Sequence, residues 1–288
     1  MPELTPPPLT PATAGASSST GSALATATVP VPSLSIDDRG AAAGAVTAFR
    51  LLVGWQLASL GTTMLPLIVV VQALLAVGIV IGFGLLIPTM DPATALFLST
   101  GAPTVLLMTV GLVIVPQAVA TAKANGTFAY VRSLPVPRSV LLLSDLTVWA
   151  AVALPGIAGA ILAATLRYDL TFQFDWLVLA AASVLIVVTA TAVGYAIAVA
   201  LPQALAMVMS QILVFFVLLF SPITFPASQL PAWFQTVHTY LPMQAAADAM
   251  RAGLASGAYA VQGRDLLVLA LWCAAGIAIS LRALTRRD

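Results

Sequence analysis

The chain has 288 residues, of which 60% are hydrophobic and only 7% charged, with a net charge of +1 and a mean hydropathy of +1.05. Soluble domains carry roughly a quarter charged residues, so most of this surface cannot face water, and the near-neutral balance leaves no basic footprint for nucleic acid. The single cysteine, Cys273, and single histidine, His238, exclude a disulfide framework and a Cys/His zinc site within the chain.

Residues 1–40 are rich in Pro, Ser, Thr and Ala and contain no long apolar run. Such a segment cannot bury enough surface to offset its chain entropy, so it reads as a disordered cytoplasmic tail. It lacks the basic start and apolar stretch of a signal peptide. Residues 41–288 read as one transmembrane domain. Within 41–60, Phe49, Leu52, Val53, Leu57 and Leu60 fall near helical spacing, with Leu51 and Trp55 on the other side. That pattern suits a helix lying in the membrane interface.

A helix needs roughly 20 apolar residues to cross the hydrocarbon layer. Six stretches qualify, at 63–87, 97–121, 139–166, 176–200, 204–220 and 266–284. The first is closed by Pro88 and Asp91-Pro92, and the fourth and fifth are separated only by Leu201-Pro202-Gln203. With the N-terminus inside, the inner segments hold Arg39, Arg50, Lys123, Arg132, Arg138, Arg282, Arg286 and Arg287, and the outer loops only Arg167, Arg251 and Arg264. Because positive segments stay inside, both termini are expected in the cytoplasm. The fold class expected is thus an all-α membrane protein of six spans.

The spans carry little chemistry. Outside the third they contain no Asp, Glu, Lys or His, whereas an ion-coupled carrier needs such a group near mid-membrane. Asp145, in the third, is expected near the inner boundary as an ordinary carboxylate at a helix start. No nucleophile–base pair or metal cluster is available for an embedded hydrolase. A P-loop is excluded as well, since Lys123 is the only lysine and no glycine stands in the six residues before it. Isolated polar residues (Gln72, Thr191, Tyr195, Gln211) suit hydrogen bonds between helices, and Gly78, Gly82 and Gly84 suit close helix approach. Cys273 reads as a small packing residue.

Two inter-span stretches are too long and too patterned to be plain connectors. In the inner one, 122–138, Asn125-Gly126 signals a turn and Thr127 suits the cap of a short helix from Phe128 to Leu134. Pro135 and Pro137 then stop that helix. Phe128, Val131 and Leu134 share a face, with Arg132 elsewhere; Tyr130 adds an aromatic ring. In the outer stretch, 221–265, Pro222 and Pro226 break the fifth span, and Trp233 and Tyr240 suit interface anchors. Met243, Ala247, Met250 and Leu254 make an apolar stripe, and Asp248 and Arg251 are placed to pair at i,i+3.

Gly126-Thr127 and the exit Leu134-Pro135-Val136-Pro137-Arg138 resemble the loop between the second and third spans of ABC-2 type permeases, the membrane subunits of ATP-binding-cassette exporters, including the daunorubicin-resistance-like class. Ser221 to Pro226, Leu230-Pro231-Ala232-Trp233-Phe234-Gln235, Leu241-Pro242 and Ala247-Asp248-Ala249-Met250-Arg251 resemble the family's segment after the fifth span. Ala122 and Ala124 stand where the family usually carries carboxylates.

The resemblance implies a cytoplasmic coupling helix over Asn125, Gly126, Thr127, Phe128, Tyr130, Val131, Arg132, Leu134 and Pro135, seated on a separate ATPase subunit that binds ATP and Mg. It implies a re-entrant amphipathic outer segment that includes Pro226, Trp233, Asp248 and Arg251. It also implies a second permease subunit, with a substrate path along Thr104, Met108, Met207, Gln211 and Phe215, for a drug, lipid or polymer precursor. No cofactor is expected in this chain. Ala-, Val- and Pro-rich usage points to a bacterial plasma membrane. A non-transporting scaffold and an ion-coupled carrier stand as the alternatives.

Overall fold

The computed structural model describes residues 38–86 and 91–285. The expected disordered tail falls almost wholly outside them, as do Pro88, Arg286 and Arg287. Among the described residues the chain is helical, with a single isolated bridge between Gln173 and Ala255. Eleven α-helices follow one another as α1 Asp38–Leu86, α2 Pro92–Thr109, α3 Val115–Ala124, α4 Thr127–Ser133, α5 Arg138–Ala153, α6 Pro155–Tyr168, α7 Trp176–Ala200, α8 Gln203–Phe220, α9 Ala232–His238, α10 Pro242–Leu254 and α11 Gly263–Thr285.

Among the described residues, five stretches are long and apolar enough to cross a membrane: Pro92–Ala124, Arg138–Tyr168, Trp176–Ala200, Gln203–Phe220 and Gly263–Thr285. A sixth candidate is α1, whose arms Gly44–Gly61 and Pro66–Gly82 meet at 76°. Gly61 sits at φ 65°, a conformation open to glycine without a Cβ clash, and Pro66 fits the first turn of the new arm because its missing N–H has no partner to lose there. The expected stripe on the first arm is present, with Leu52 buried and Leu51 exposed. The arm also turns Gln56 inward, where its Nε2 donates to Asp145 Oδ1 at 2.6 Å and to Ser144 Oγ at 3.3 Å.

Two spans are interrupted without ending. Between α2 and α3, Val110–Ile114 form one π-helical turn; Pro116 has no N–H for the Leu112 carbonyl, and the wider turn absorbs that missing bond. Between α5 and α6, Pro155 breaks the ladder, and Gln72 of α1 donates to the Val152 carbonyl at 2.7 Å. Gln72 is thus the interhelical bond expected of it.

The bundle is organised around α7, which packs against α11, α10, α3, α5, α2, α8 and the π-turn. Its contacts rest on small residues. A Cβ on Gly194 would lie 1.9 Å from the Gly111 carbonyl oxygen, and one on Gly276 would lie 2.8 Å from the Ala192 carbonyl carbon. Lipid is as apolar as a leucine side chain, so van der Waals contact and hydrogen bonds hold such helices together. Thr189 and Ser280 add bonds between α7 and α11, to the Leu269 and Ala192 carbonyls. The anticipated Gly78–Gly82 surface does not take part: an added Cβ at either position meets open space. Gly84 does make a close approach, to the Tyr168 hydroxyl that bonds the Val80 carbonyl.

Candidate functional site

The loop between α3 and α5 forms the expected short helix, with a different cap. Gly126, at φ 76°, is the N-cap, and Thr127 is already helical with no side-chain capping bond. Asn125 ends α3, and only a left-handed residue reverses the chain so sharply there. Lys123 anchors the turn: its Nζ donates to the Ala198, Val199 and Leu201 carbonyls at the end of α7. A cation suits that position, because the last carbonyls of a helix lack partners and carry its negative pole.

Phe128, Val131, Arg132 and Leu134 are half-buried, while Asn125, Gly126, Thr127, Ala129, Tyr130, Ser133 and Pro135 are exposed. The Phe128 ring therefore turns inward, with Lys123 Nζ 5.7 Å and Arg132 Cζ 5.9 Å from its centroid. Arg132, expected to point away, donates to the Leu284 carbonyl of α11 at 3.2 Å, and its own carbonyl accepts from Arg138. The free knob is Tyr130, 64% exposed.

Asp145 is not a helix-start carboxylate. It lies two turns into α5, accepts from Gln56, and interacts with the Tyr195 hydroxyl of α7. Gln56 was legible in the sequence as the polar member of the 49, 52, 53, 57, 60 stripe, and that was the signal for a buried partner.

At the other end, α10 is buried almost all round rather than along a stripe. It inserts between α2, α7 and α11. Its C-terminal end is tied to the loop before α7 by Asp175 N–H to Gly253 O and Ser256 N–H to Gln173 O, both 3.0 Å. Arg251 is 1% exposed. Its Nη1 pairs with Asp248 Oδ1 at 2.9 Å, the expected i,i+3 bridge. Its Nη2 donates to the Ile223 carbonyl at 2.6 Å, and its Cζ lies 3.7 Å from the Phe97 ring centroid. One side chain thus binds α10 to the exit of α8 and to α2.

Pro226 leads into a 3-10 turn, Ala227–Gln229. Trp233 is exposed on α9 beside Phe234, which joins Phe216, Phe220 and His238 in an aromatic cluster. The His238 imidazole stacks on Phe216 with centroids 5.8 Å apart. Burial holds its pKa below the ordinary 6.5, because the charged form loses its water.

The five nominated path residues do not form one surface. Met207, Gln211 and Phe215 share an exposed face of α8, the least covered of the spanning helices. Thr104 and Met108 are buried inside the chain. Met108 instead lines an apolar cavity of about 630 Å³ between the π-turn, α7, α8, α10 and α11, with Met209, Phe216, Met243 and Trp272. Helical spacing identifies which residues share a face, and only packing identifies what the face meets.

No curated protein matches the chain. A family model described as ABC-2 type transporter matches residues 96–255, which run from α2 through α4 to the end of buried α10. With over half of its length matched, and with the inner patterned loop and most of the outer one inside the matched stretch, the chain belongs to the ABC-2 type transporter family.

Proposed function

We propose that this chain is the membrane-spanning permease subunit of an ATP-driven exporter, with α4 as the coupling helix that a separate ATPase subunit grips. The observation that carries the reading is α4 itself, a rigidly anchored helix that presents Tyr130, Ala129 and Ser133 outward while Lys123 and Arg132 tie it to the ends of α7 and α11. Force applied to such a knob reaches two spans directly. ATP and Mg belong to the partner, whose closure rocks the permease as a rigid body.

Two permease subunits, identical or related, pair along the exposed face of α8, where Gln211 lies among Met207, Ile212 and Phe215. A polar side chain facing lipid is costly, and a partner across that face removes the cost. The substrate is hydrophobic or amphiphilic, in keeping with the apolar 630 Å³ cavity behind α8. The protein sits in a bacterial plasma membrane with α4 and both termini in the cytoplasm and the first arm of α1 in the interface.

The test pairs Tyr130→Asp with wild type in membranes that carry the ATPase. Tyr130→Asp is expected to abolish substrate-stimulated ATP hydrolysis and pull-down of the ATPase while leaving expression and melting temperature unchanged. Full stimulated hydrolysis in that variant refutes the assignment of α4.

A further inference from the structure

A second cavity, about 240 Å³, lies beside α4, between the first arm of α1 and α5. It is below the roughly 300–1,000 Å³ of sites for drug-sized ligands and suits a compact group. Its exposed lining residues, Trp55, Ser59 and Thr127, form the rim. Inside are the rings of Trp149, Phe128 and Tyr195, and the Asp145 carboxylate.

Gln56 and Tyr195 supply that carboxylate with neutral partners. Among the described residues it has no salt bridge; the one ion pair there joins Arg251 to Asp248. Arg132 also lines the cavity, but it is directed to the Leu284 carbonyl and the Phe128 ring. A carboxylate drawn out of water without a countercharge is unfavourable, and neutral neighbours do not neutralise it. Aromatic faces attract cations electrostatically, so the aromatic walls and the carboxylate favour the same sign, with the Arg132 guanidinium on the α4 side opposing it. No group of three metal-ligating side chains is present among the described residues, which disfavours a divalent ion and favours a diffuse monovalent one.

We propose that this cavity binds a monovalent organic cation, a protonated or quaternary amine bearing an apolar body, with Asp145 as its countercharge and Trp55 and Trp149 as its cage. The amine arrives either as a small molecule or as the headgroup of a lipid. The site requires no ATPase, and its failure would leave the transport reading untouched.

The test is equilibrium binding of radiolabelled benzyltrimethylammonium to the full chain in nanodiscs of uncharged galactolipid. One saturable site is expected, with no competition from benzenesulfonate. Asp145→Asn is expected to weaken binding about tenfold or more, and Trp55→Ala by about threefold to tenfold. Trp55 is 45% exposed, so its variant folds even if Asp145→Asn does not. In phosphatidylcholine discs the probe's apparent affinity falls if lipid headgroups occupy the site and holds if small cations alone do; both outcomes support an amine site. Unchanged affinity in the Asp145 variant, unchanged affinity in the Trp55 variant, or no saturable binding in galactolipid overturns it.

Discussion

Replacing Arg251 by methionine keeps a long apolar stem in a full core but removes every bond its guanidinium makes. The Ile223 carbonyl, 2.6 Å from Nη2, and the Pro222 carbonyl, 3.5 Å away, lose their buried donor. Each stranded acceptor costs about 1–3 kcal/mol. The stacking on Phe97 at 3.7 Å adds on the order of 1–2 kcal/mol. Asp248 loses its partner, but at 36% exposed it keeps its water, so that share is about 1 kcal/mol or less. These overlap rather than add, and the net loss is about 3–5 kcal/mol, most of it from the stranded carbonyls and the lost stacking.

At about 2–4 °C per kcal/mol for a domain of this size, the melting temperature of Arg251→Met falls by roughly 10 °C. Cys273 is the only thiol and is half-buried in α11, so a thiol-reactive fluorophore reads the unfolding of the detergent-purified chain. Asp248→Asn serves as the comparison and is expected to shift the midpoint by no more than a few degrees. A loss under about 2 °C for Arg251→Met refutes the view that this side chain clamps α10. So does an Asp248→Asn loss of equal size, which would place the energy in the ion pair instead.

Gly194→Ala puts a Cβ 1.9 Å from the Gly111 carbonyl oxygen and is expected to cost about 1–3 kcal/mol; Gly78→Ala, in open space, is expected to be neutral in the same thermal assay. Lys123→Met removes the cation from the α7 carbonyls and should cost about 1–2 kcal/mol, with loss of ATPase stimulation at unchanged expression. The segment between α8 and α11 should weaken in acid. His238 titrates below 6.5 in the folded chain, so above that pH it is neutral in both states and its burial stabilises. As pH falls below 6.5 the unfolded chain takes up the proton first and stability declines toward the lowered folded value. His238→Phe, which keeps the stacking on Phe216, should flatten that dependence; a melting temperature with the same acid slope in both proteins would contradict it.

Composition alone placed this chain in a membrane as a set of helices, because no arrangement of so few charges can solvate its surface. Local chemistry placed the interruptions too: the Gly126 turn and the Pro135 stop around α4, and the Asp248–Arg251 pair, are properties of a few consecutive residues. What lay beyond the sequence was which side each helix turns inward. In lipid an apolar side chain is equally at ease against acyl chains or against another helix, so hydropathy carries no sign for the inward face, and shape decides it.

That is why Gly78 and Gly82 face open space while Gly111 and Gly194 make the central crossing, and why α10 is buried almost all round. It is also why Phe128 turns inward and leaves Tyr130 outside. Asp145 shows the same limit in its sharpest form. Its neighbours Gln56 and Tyr195 stand 89 residues before it and on a later helix, and only the packing of three helices makes one ordinary carboxylate into the floor of an aromatic cavity.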